Sequence, residues 1–442
     1  MIKGAKYLKG MNGNRRTYHL ITLGCAKNEI DSEALECDLV AAGMTSINDS
    51  READLLIVNS CGFINDAKVE TIQTVLDLHQ DRKVGSILVL AGCLPARYNL
   101  NKSLDEVDIF LPSQNHGELI SRLQELGWKL ERPSITLHRV KPEAPFGYLR
   151  ISEGCDNRCA YCAIPDIKGP FLSRPLDEII SEANFLCNNG VKELVLIGQD
   201  TTLYGLDGGH KEGLVNLLDK LSEIDGCEWI RIMYAHPAHL TPETIEVMAR
   251  NEKIVKYLDL PLQHINSRML NAMNRRVTRE QVIDLINNLR TRIPQLALRT
   301  TFICGFPGET DDEFGELLDF VEDMQFDNVG AFKYSPEEGT PAYNLKDRIA
   351  DDVIEERYLT LIDIQNMISF GKMKKYLGSR QQALLHEINS DGIGEARGWF
   401  QAPEVDGQIL IENCTAAPGE FIDIEINKAE AYDLFGRQLE GR

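Results

Sequence analysis

Buried strands and amphipathic helices alternate along most of this chain, and this alternation constrains its fold more than any other feature. Among residues 16–130, short apolar runs such as 53–61 and 86–93 are separated by segments with helical periodicity. Such alternation predicts a parallel sheet, in which the carboxyl ends of the strands meet at one edge. We therefore expect an N-terminal α/β domain over residues 16–130.

One cysteine follows each of three predicted strands in this domain, namely Cys25, Cys61 and Cys93. A parallel sheet brings these positions to the same edge, although the sequence keeps them far apart. Thiolates are soft ligands that suit iron–sulfur clusters and zinc. The alternative is three unrelated buried thiols, because cysteine is among the most buried residue types. The same position recurs in three successive units, which favours one shared metal site.

Six further strand–helix units follow between residues 146 and 376. Their strands are predicted near YLRISEG, ELVLIGQD, WIRIMYAHP, YLDLPLQH, LALRTTFICGF and NVGAFKYS. Six units predict a partial (β/α)6 barrel of the TIM type, with its active site at the carboxyl ends of the strands. Residues 128–147 contain three prolines and mixed charges, which indicates a linker before this domain.

A second group of cysteines lies directly after the first of these strands, at Cys155, Cys159 and Cys162. The C-x3-C-x2-C spacing lets three thiolates hold one cuboidal iron–sulfur cluster, with the fourth iron free of protein ligands. A structural zinc site would need a fourth ligand close by, and His138 and His210 are distant in sequence. A catalytic metal centre needs such a coordination position, which no protein ligand occupies. Two such sets therefore predict an enzyme with two metal centres rather than an iron–sulfur carrier.

The last region, residues 377–442, changes to short strands divided by Gly, Asn and Pro. The strands are predicted at QQALLHEIN, GWFQAPEVDG, GQILIEN and EFIDIEINKAE, which indicates a small antiparallel, OB-like barrel. From Gly378 to Arg442 there are five Arg or Lys and twelve Asp or Glu, a net charge of −7. An RNA-binding barrel should be basic. The charge therefore favours a basic protein as the partner and disfavours nucleic acid as the direct substrate.

The composition of the whole chain is typical of a soluble globular protein. Its 442 residues carry a net charge of −21, and no apolar run approaches the roughly 20 residues of a membrane span. The basic N-terminus lacks the apolar segment of a secretory signal, and Met11 is an alternative start to Met1. Eleven cysteines without such a signal predict a reducing cytoplasm and no membrane association.

The run C-D-N-R-C-A-Y-C is similar to the cluster signature of radical S-adenosylmethionine enzymes, with Tyr161 as its aromatic residue. The resemblance implies a [4Fe–4S] cluster whose open iron binds S-adenosylmethionine. In that family an electron from the cluster cleaves the cofactor to a 5′-deoxyadenosyl radical. A radical accounts for reaction at an unactivated carbon, which acid–base catalysis does not reach.

From about Tyr18 to Phe435 the chain resembles the methylthiotransferase branch of that superfamily. The matching stretches include TLGCAKNEIDSE, NSCGFINDA, AGCLPARY and a TRAM-like barrel at the end. In that branch three N-terminal cysteines hold a second [4Fe–4S] cluster, whose open iron carries the inserted sulfur. The resemblance implies this role for Cys25, Cys61 and Cys93. The expected domains are then 16–130, a radical barrel at 146–376 and the TRAM-like barrel at 377–442.

Within the branch, the chain is most similar to the enzymes that methylthiolate an aspartate of a ribosomal protein. GQDTTLYG, YAHPAHLT, LPLQH, GAFKYSPEEGTPA, APEVDG and AYDLFG carry this resemblance. It implies a substrate aspartate, modified at its β-carbon, in the small-subunit protein numbered twelve. It also implies an electron donor such as flavodoxin or ferredoxin, and a sulfur donor. A tRNA adenosine methylthiotransferase is the alternative with the same chemistry.

Several residues at strand ends are candidates to contact S-adenosylmethionine. Besides Tyr161 they are Gln199, Asp200, Arg299, Thr301 and Gly305. The alternative for Asp200 is a helix cap with Thr201. The alternative for the stretch from Arg299 to Gly305 is an ordinary strand-to-helix turn. His236 and His264 are predicted to be structural. The cysteines outside the two sets are also predicted to be structural, namely Cys37, Cys187, Cys227, Cys304 and Cys414.

Overall fold

The computed structural model describes residues 16–100, 103–131, 139–209 and 213–439. Residues 1–15, and with them the alternative start at Met11, lie outside the described residues, as do His138 and His210. The chain divides into two compact units, residues 1–140 and 141–442. Within the described ranges, no helix has both the length and the hydropathy that a membrane crossing requires.

The first unit is a five-stranded parallel sheet with helices on both faces. Its strands are β1 (Thr17–Thr22), β2 (Thr45–Ser46), β3 (Leu55–Ser60), β4 (Ile87–Gly92) and β5 (Ile109–Pro112). Its helices are α1 (Ala26–Ala41), α2 (Asn65–Asp81), α3 (Cys93–Arg97) and α4 (Leu119–Glu125), with 3₁₀ turns at Ser50–Glu52 and Ser113–Glu118. The strand order is β2-β1-β3-β4-β5, and each pairing is parallel.

The strand β3 shows why this sheet needs cover on both faces. All six of its residues are buried. Leu55 and Ile57 pack with α1 and α4 on one face, while Leu56 and Val58 pack with α2 on the other. Successive side chains of a strand point to opposite faces, so a continuous apolar run is what a doubly covered strand requires.

The second unit contains a six-stranded parallel sheet and a small barrel. The sheet strands are β6 (Phe146–Arg150), β9 (Glu193–Ile197), β10 (Trp229–Ile232), β11 (Ile254–Asp259), β12 (Ala297–Cys304) and β13 (Asn328–Lys333). Between β6 and β9 lies a two-stranded antiparallel ribbon of β7 (Ser152–Glu153) and β8 (Leu172–Ser173). The six strands lie in sequential order from β6 to β13, and the described residues do not close the sheet into a ring. The six predicted strands are therefore confirmed as an open, partial barrel.

Helices cover one face of this sheet and form the main apolar core with it. They are α6 (Leu176–Asn188), α7 (Gly213–Ser222), α8 (Pro242–Arg250), α9 (Ser267–Ala272), α10 (Arg279–Arg292), α11 (Asp311–Met324) and α12 (Asp351–Met373). The short helix α5 (Ile164–Lys168) follows the second group of cysteines and contributes no residue to this core. Further 3₁₀ turns are Thr201–Leu203, Pro341–Asn344 and Lys374–Tyr376. Local sequence fixes some boundaries, because Thr310 and Glu313 form a reciprocal capping box at the start of α11.

The C-terminal barrel is closed by five strands. They are β14 (Arg380–Ile388), β15 (Gly394–Gly398), β16 (Ile409–Glu412), β17 (Phe421–Ala429) and β18 (Leu434–Gln438), in the order β14-β15-β16-β18-β17. Four pairings are antiparallel, while β16 and β18 pair in parallel. The small barrel is confirmed, and its single parallel pairing is a detail that the strand pattern did not predict.

The predicted strand in GWFQAPEVDG was wrong. Only Gly398 of this stretch belongs to a strand, and residues 399–408 form a loop. Side chains satisfy its backbone in place of a partner strand. Gln401 accepts a hydrogen bond from the backbone N–H of Gly398 (3.0 Å), and Asp406 accepts one from that of Ala402 (2.8 Å). Pro403 also lacks an N–H for a ladder.

Buried charges attach the barrel to the six-stranded sheet. Glu193 on β9 pairs with Arg231 on β10 (2.6 Å) and with Arg397 on β15 (2.5 Å). Glu193 and Arg231 are completely buried. Burial alone raises the pKa of Glu193, but the two guanidinium groups outweigh it and lower the pKa to about 2. The carboxylate is therefore ionised and holds one cation from each side of the contact.

Candidate functional site

The first unit brings the ends of its three predicted cysteine-bearing strands together. Cys25 follows β1 at the start of α1, Cys61 directly follows β3, and Cys93 directly follows β4. The strands β1, β3 and β4 are consecutive neighbours in the sheet. Cys25 is exposed, Cys61 is half-buried and Cys93 is buried. Three thiols therefore lie at one edge of the sheet, as the sequence pattern predicted.

Two glycines permit the close approach of these strand ends. A side-chain carbon at Gly24 would lie 2.9 Å from Cβ of Cys61, which is closer than real carbon atoms approach. Gly92 has φ +95° and ψ −145°, a conformation that is essentially restricted to glycine. A side-chain carbon there would lie 2.7 Å from the carbonyl oxygen of Ser60. Larger residues at either position would push the cysteines apart.

Asn28 connects all three strand ends, and sequence reasoning missed it. Its backbone N–H donates to the carbonyl of Cys25 (2.7 Å). Its side-chain amide donates to the carbonyls of Leu23 (2.7 Å) and Ser60 (3.1 Å). The thiol of Cys93 donates to its amide oxygen at 3.7 Å. Asn28 is only 1% exposed, and the sequence offered no signal for it beyond its place three residues after Cys25.

Replacing Gly92 with Ala is expected to disrupt this edge of the sheet. The backbone conformation alone should cost about 1–3 kcal/mol, and the added carbon should separate β3 from β4. We expect a lower free energy of unfolding and loss of iron from the first unit. Iron per chain would be measured in protein that carries Ala at Cys155, Cys159 and Cys162.

Gly85→Ala is the matched control, because Gly85 also has positive φ but has open space around its side-chain position. It should lose some stability and keep its iron. Full iron retention by the Gly92→Ala protein would contradict the proposed convergence of the three thiols.

In the second unit, the three remaining predicted ligands lie on one loop after β7. Cys155 and Cys159 are buried, and Cys162 is half-buried. The backbone N–H of Cys155 donates to the carbonyl of Gly169 (3.2 Å), and that of Cys162 donates to the carbonyl of Cys159 (3.1 Å). Burial raises the pKa of the Cys155 thiol to about 11 and that of Cys162 to about 12. Metal ions binding here must therefore displace thiol protons.

Asp200 is predicted to contact the cofactor, but both of its side-chain oxygens accept hydrogen bonds from other residues of the protein. It is 1% exposed and accepts hydrogen bonds from Asn157 (2.8 Å) and His239 (2.7 Å). It also accepts from the backbone N–H (3.1 Å) and hydroxyl (2.5 Å) of Thr202. Burial alone raises the pKa of Asp200, but these partners and His236 hold it below its usual range. Asp200 therefore caps a 3₁₀ turn and holds the cysteine loop through Asn157.

Asp200, His236 and His239 also lie close enough to share a metal ion. Their contacts argue against this use. Each oxygen of Asp200 already accepts two hydrogen bonds, and Nδ1 of His236 accepts one from the backbone of Ala238 (3.2 Å). Burial lowers the pKa of His236 to about 2, helped by Arg275, so the ring is neutral. Nε2 of His236 is buried with no hydrogen-bond partner among the described residues, so its structural role stays a prediction.

Gln199 retains an unused acceptor. Its side-chain nitrogen donates to Glu153 (3.3 Å). Its side-chain oxygen is buried, with no hydrogen-bond partner in the described part of the chain. A buried acceptor without a partner costs free energy unless a ligand supplies a donor. The ammonium group of S-adenosylmethionine is such a donor, so Gln199 fits a cofactor contact.

The other predicted contacts divide into two groups. Tyr161 packs against an apolar cluster that contains Phe306 and Tyr334, and burial raises its pKa well above the usual value. Thr301 is half-buried on β12, and its carbonyl accepts from Gln263 (2.7 Å). Both positions are compatible with the predicted role.

Arg299 and Gly305 have other partners. Arg299 is paired with Asp406 of the barrel loop (3.0 Å), so its guanidinium belongs to the contact between barrel and sheet. At Gly305 a side-chain carbon would collide with Ile354 of α12. The absence of a side chain there is explained by helix packing rather than by cofactor access. Contact of these two residues with the cofactor stays a prediction.

The five cysteines outside the two sets have structural surroundings. Cys187, Cys227 and Cys304 are part of the main apolar core of the second unit. Cys37 lies on α1 and Cys414 follows β16, each half-buried.

Comparison with protein families identifies three regions. Residues 149–321 match the radical SAM superfamily, residues 17–112 match the uncharacterized protein family UPF0004, and residues 377–439 match the TRAM domain. Each region lies inside one of the three predicted domains, whose boundaries stay a prediction.

Solved structures share the fold at low sequence identity. The radical S-adenosylmethionine methyltransferase TsrM from Kitasatospora setae superposes with a TM-score of 0.57 at 14% identity, covering 74% of each chain. The cobalamin-dependent radical enzyme OxsB gives a TM-score of 0.52 at 13% identity, covering 80% of this chain and 56% of that chain. At this identity the likeness supports the fold alone.

Curated relatives match over nearly their whole length. One from Natranaerobius thermophilus is 41% identical over 94% of this chain and 98% of its own. Others from Bdellovibrio bacteriovorus and Geobacter sulfurreducens are 39% and 38% identical, covering 97% and 96% of this chain and 99% of each relative. All three are named ribosomal protein uS12 methylthiotransferase RimO. The chain therefore belongs to the RimO family of methylthiotransferases, within the radical SAM superfamily.

Proposed function

We propose that this enzyme transfers a methylthio group to the β-carbon of an aspartate in ribosomal protein uS12, using S-adenosylmethionine and two [4Fe–4S] clusters. The observation that carries the proposal is the pair of three-thiol sets, one at the carboxyl ends of β1, β3 and β4 and the other on the single loop that follows β7. Three protein ligands leave one iron of a four-iron cluster open. The family membership assigns chemistry to those open positions.

Cys155, Cys159 and Cys162 are proposed to hold the cluster that binds S-adenosylmethionine. When bound, this cluster supplies the electron for reductive cleavage of the cofactor. The chain's own contribution is to hold the thiols in a buried loop and to bind the cofactor. Gln199 is proposed to accept a hydrogen bond from its ammonium group, with Tyr161 and Thr301 as further contacts.

Cys25, Cys61 and Cys93 are proposed to hold the second cluster, which carries the sulfur to be transferred. The donor set supports this, because a set of three thiols suits a four-iron cluster with one open iron better than a structural zinc site, which takes four ligands. Asn28 would hold the backbone segments that carry Cys25 and Cys61 at a fixed separation. The sulfur source is proposed to be a separate donor, and flavodoxin or ferredoxin is the proposed electron donor.

The substrate assignment is supported by relatives named for uS12 and by the charge of the barrel. Residues 378–442 carry a net charge of −7, which attracts a basic protein and repels the phosphates of tRNA. A cytoplasmic location is part of the proposal, because ribosomal proteins are made and assembled there.

Mass spectrometry tests the substrate directly. Reconstituted enzyme would be incubated with S-adenosylmethionine, sulfide, a reductant, and equal amounts of uS12 and tRNA. We expect one methylthio group on an aspartate of uS12 and none on tRNA adenosine. Modified tRNA with unmodified uS12 would replace this proposal by the tRNA alternative.

A further inference from the structure

Arg275 is a buried cation beside the cysteine loop of the second unit, and neither the motif nor the family comparison gives it a role. It lies between α9 and α10 and is 4% exposed. Its neighbours Asn274 and Arg276 both have left-handed backbone conformations, with φ of +57° and +55°. Such conformations cost free energy in residues other than glycine and persist only where the surroundings impose them. The chain is therefore folded tightly around this position.

Two hydrogen bonds join the loop that carries Arg275 to backbone groups of the cysteine loop. The backbone N–H of Ala160 donates to the carbonyl of Met273 (2.9 Å). The side-chain amide of Asn274 donates to the carbonyl of Arg158 (2.8 Å). Arg275 is therefore held in register with the three thiols and does not depend on its own side-chain contacts to stay there.

The guanidinium of Arg275 points at a thiol rather than at a carboxylate. Nη1 donates to Sγ of Cys159 at 3.5 Å, and Nη2 donates to the carbonyl of Pro261. Nε is buried and has no hydrogen-bond partner in the part of the chain that the structure describes. Burying a cation is costly unless an anion compensates it.

Besides Cys159 and Tyr161, the carboxylate of Asp200 interacts with Arg275. Its oxygens are already bonded to Asn157, Thr202 and His239. The carboxylate of Asp200 is therefore shared among these partners and offsets the positive charge of Arg275 only in part. An anionic group bound by the three thiols would offset the rest of that charge.

We propose that Arg275 is a positioning residue that raises the reduction potential of the cluster held by Cys155, Cys159 and Cys162. This inference rests on the proposed function, because it requires the cluster to bind there. One-electron reduction makes the cluster more negative, so a fixed cation at a ligand sulfur stabilises the reduced form more than the oxidised form. Hydrogen bonds to the sulfurs act in the same direction. Arg275 supplies both effects from one side chain.

Redox titration followed by electron paramagnetic resonance tests this inference. The protein would carry Ala at Cys25, Cys61 and Cys93, so that one cluster remains, and dithionite or titanium(III) citrate would serve as the reductant. Arg275→Gln should load the same iron per chain and become at least tenfold harder to reduce, which is about 59 mV lower for one electron. Arg275→Lys keeps the charge but loses the planar fork, so it should show a smaller shift. Arg276→Gln removes an exposed neighbouring cation and should leave the midpoint unchanged.

The outcomes separate the inference from the function on which it rests. If Arg275→Gln loads fully and its midpoint matches that of the parent, the inference is overturned. If the Arg275→Gln protein does not retain iron, the midpoint potential of the Arg275→Lys protein tests the inference instead. A lowered midpoint potential in Arg275→Lys protein that contains iron supports the inference. An unchanged midpoint potential overturns it, and so does the loss of iron from this variant as well, because Arg275 then has a structural role only. If the parent itself forms no cluster, the proposed function fails.

Discussion

Replacing Cys159 with Ala is expected to abolish both cleavage of S-adenosylmethionine and modification of uS12, whereas Cys61→Ala should abolish only the modification. The expectation follows from the placement of the two thiols. Cys159 lies on the loop of the second unit, and Cys61 lies at the sheet edge of the first. If each set holds its own cluster, loss of one ligand should impair that centre and leave the other intact. 5′-Deoxyadenosine would be measured by chromatography and methylthiolated uS12 by mass spectrometry.

Cys37→Ala provides the control in the same unit as Cys61. Cys37 is a half-buried residue on α1, outside the set at the sheet edge. This variant should cleave S-adenosylmethionine and modify uS12 at the parental rates. Parental modification by Cys61→Ala protein would contradict the second cluster, and parental cleavage by Cys159→Ala protein would contradict the first.

Arg397→Met is expected to destabilise the second unit by about 3–5 kcal/mol, the usual effect of removing one partner from a buried ion pair. Among the described residues, it would leave the fully buried carboxylate of Glu193 with Arg231 as its one remaining ion-pair partner. It would also remove the hydrogen bond from Arg397 to the carbonyl of Gln401 (2.8 Å), which fixes the barrel loop. Urea unfolding of the second unit would measure the loss.

Arg250→Met is the matched control for a surface ion pair. Arg250 bonds to Asp219 at 2.9 Å, but both side chains are largely exposed, at 56% and 43%. Its loss should cost about 0–1 kcal/mol. Equal effects of Arg250→Met and Arg397→Met would show that the buried charges do not stabilise the contact between barrel and sheet.

The pH dependence of the same contact has a defined sign. The pKa of Glu193 is lowered from 4.5 to about 2 in the folded protein. Its ionised form therefore stabilises the fold fully above pH 4.5, and this contribution is lost as the pH falls from 4.5 towards 2. The difference in unfolding free energy between the parent and Glu193→Gln protein should shrink over that interval. A difference that stays constant would show that Glu193 is not ionised in the folded state.

The strand ends were predictable because each carries a local signal. Apolar runs precede Cys61 and Cys93, and a strand-like segment precedes Cys25. Parallel topology then brings the three strand ends together. The loop of the second set was predictable for a different reason. Its three cysteines lie within eight residues, so their proximity depends on spacing and hardly on the fold.

The contact between barrel and sheet was not predictable, because its partners are about 200 residues apart. Nothing local indicates that Glu193 on β9 would meet Arg397 on β15. The same contact explains why the strand predicted in GWFQAPEVDG was wrong. The stretch around Gln401 contains β-compatible residues, but it forms the loop that docks on the sheet, and Arg299 faces that loop through Asp406.

Asn28 and Arg275 show what a motif leaves out. Asn28 occurs in an ordinary amphipathic helix, and only the fold reveals that its side chain bonds to Leu23 and Ser60 at the same time. Arg275 reads as a surface cation between two helices, yet it is buried against Cys159. Such roles cannot be predicted from a motif, because they depend on groups that are distant in sequence and that only the fold brings together.

Deuterium labelling of the substrate aspartate tests the central claim most directly. uS12 carrying deuterium on its aspartate β-carbons would be incubated with reconstituted enzyme, S-adenosylmethionine, sulfide and reductant. Both products would then be analysed by mass spectrometry. The proposed radical reaction predicts deuterium in 5′-deoxyadenosine together with one methylthio group on a uS12 aspartate that has lost one deuterium. Methylthiolated uS12 accompanied by unlabelled 5′-deoxyadenosine would contradict hydrogen abstraction at that carbon.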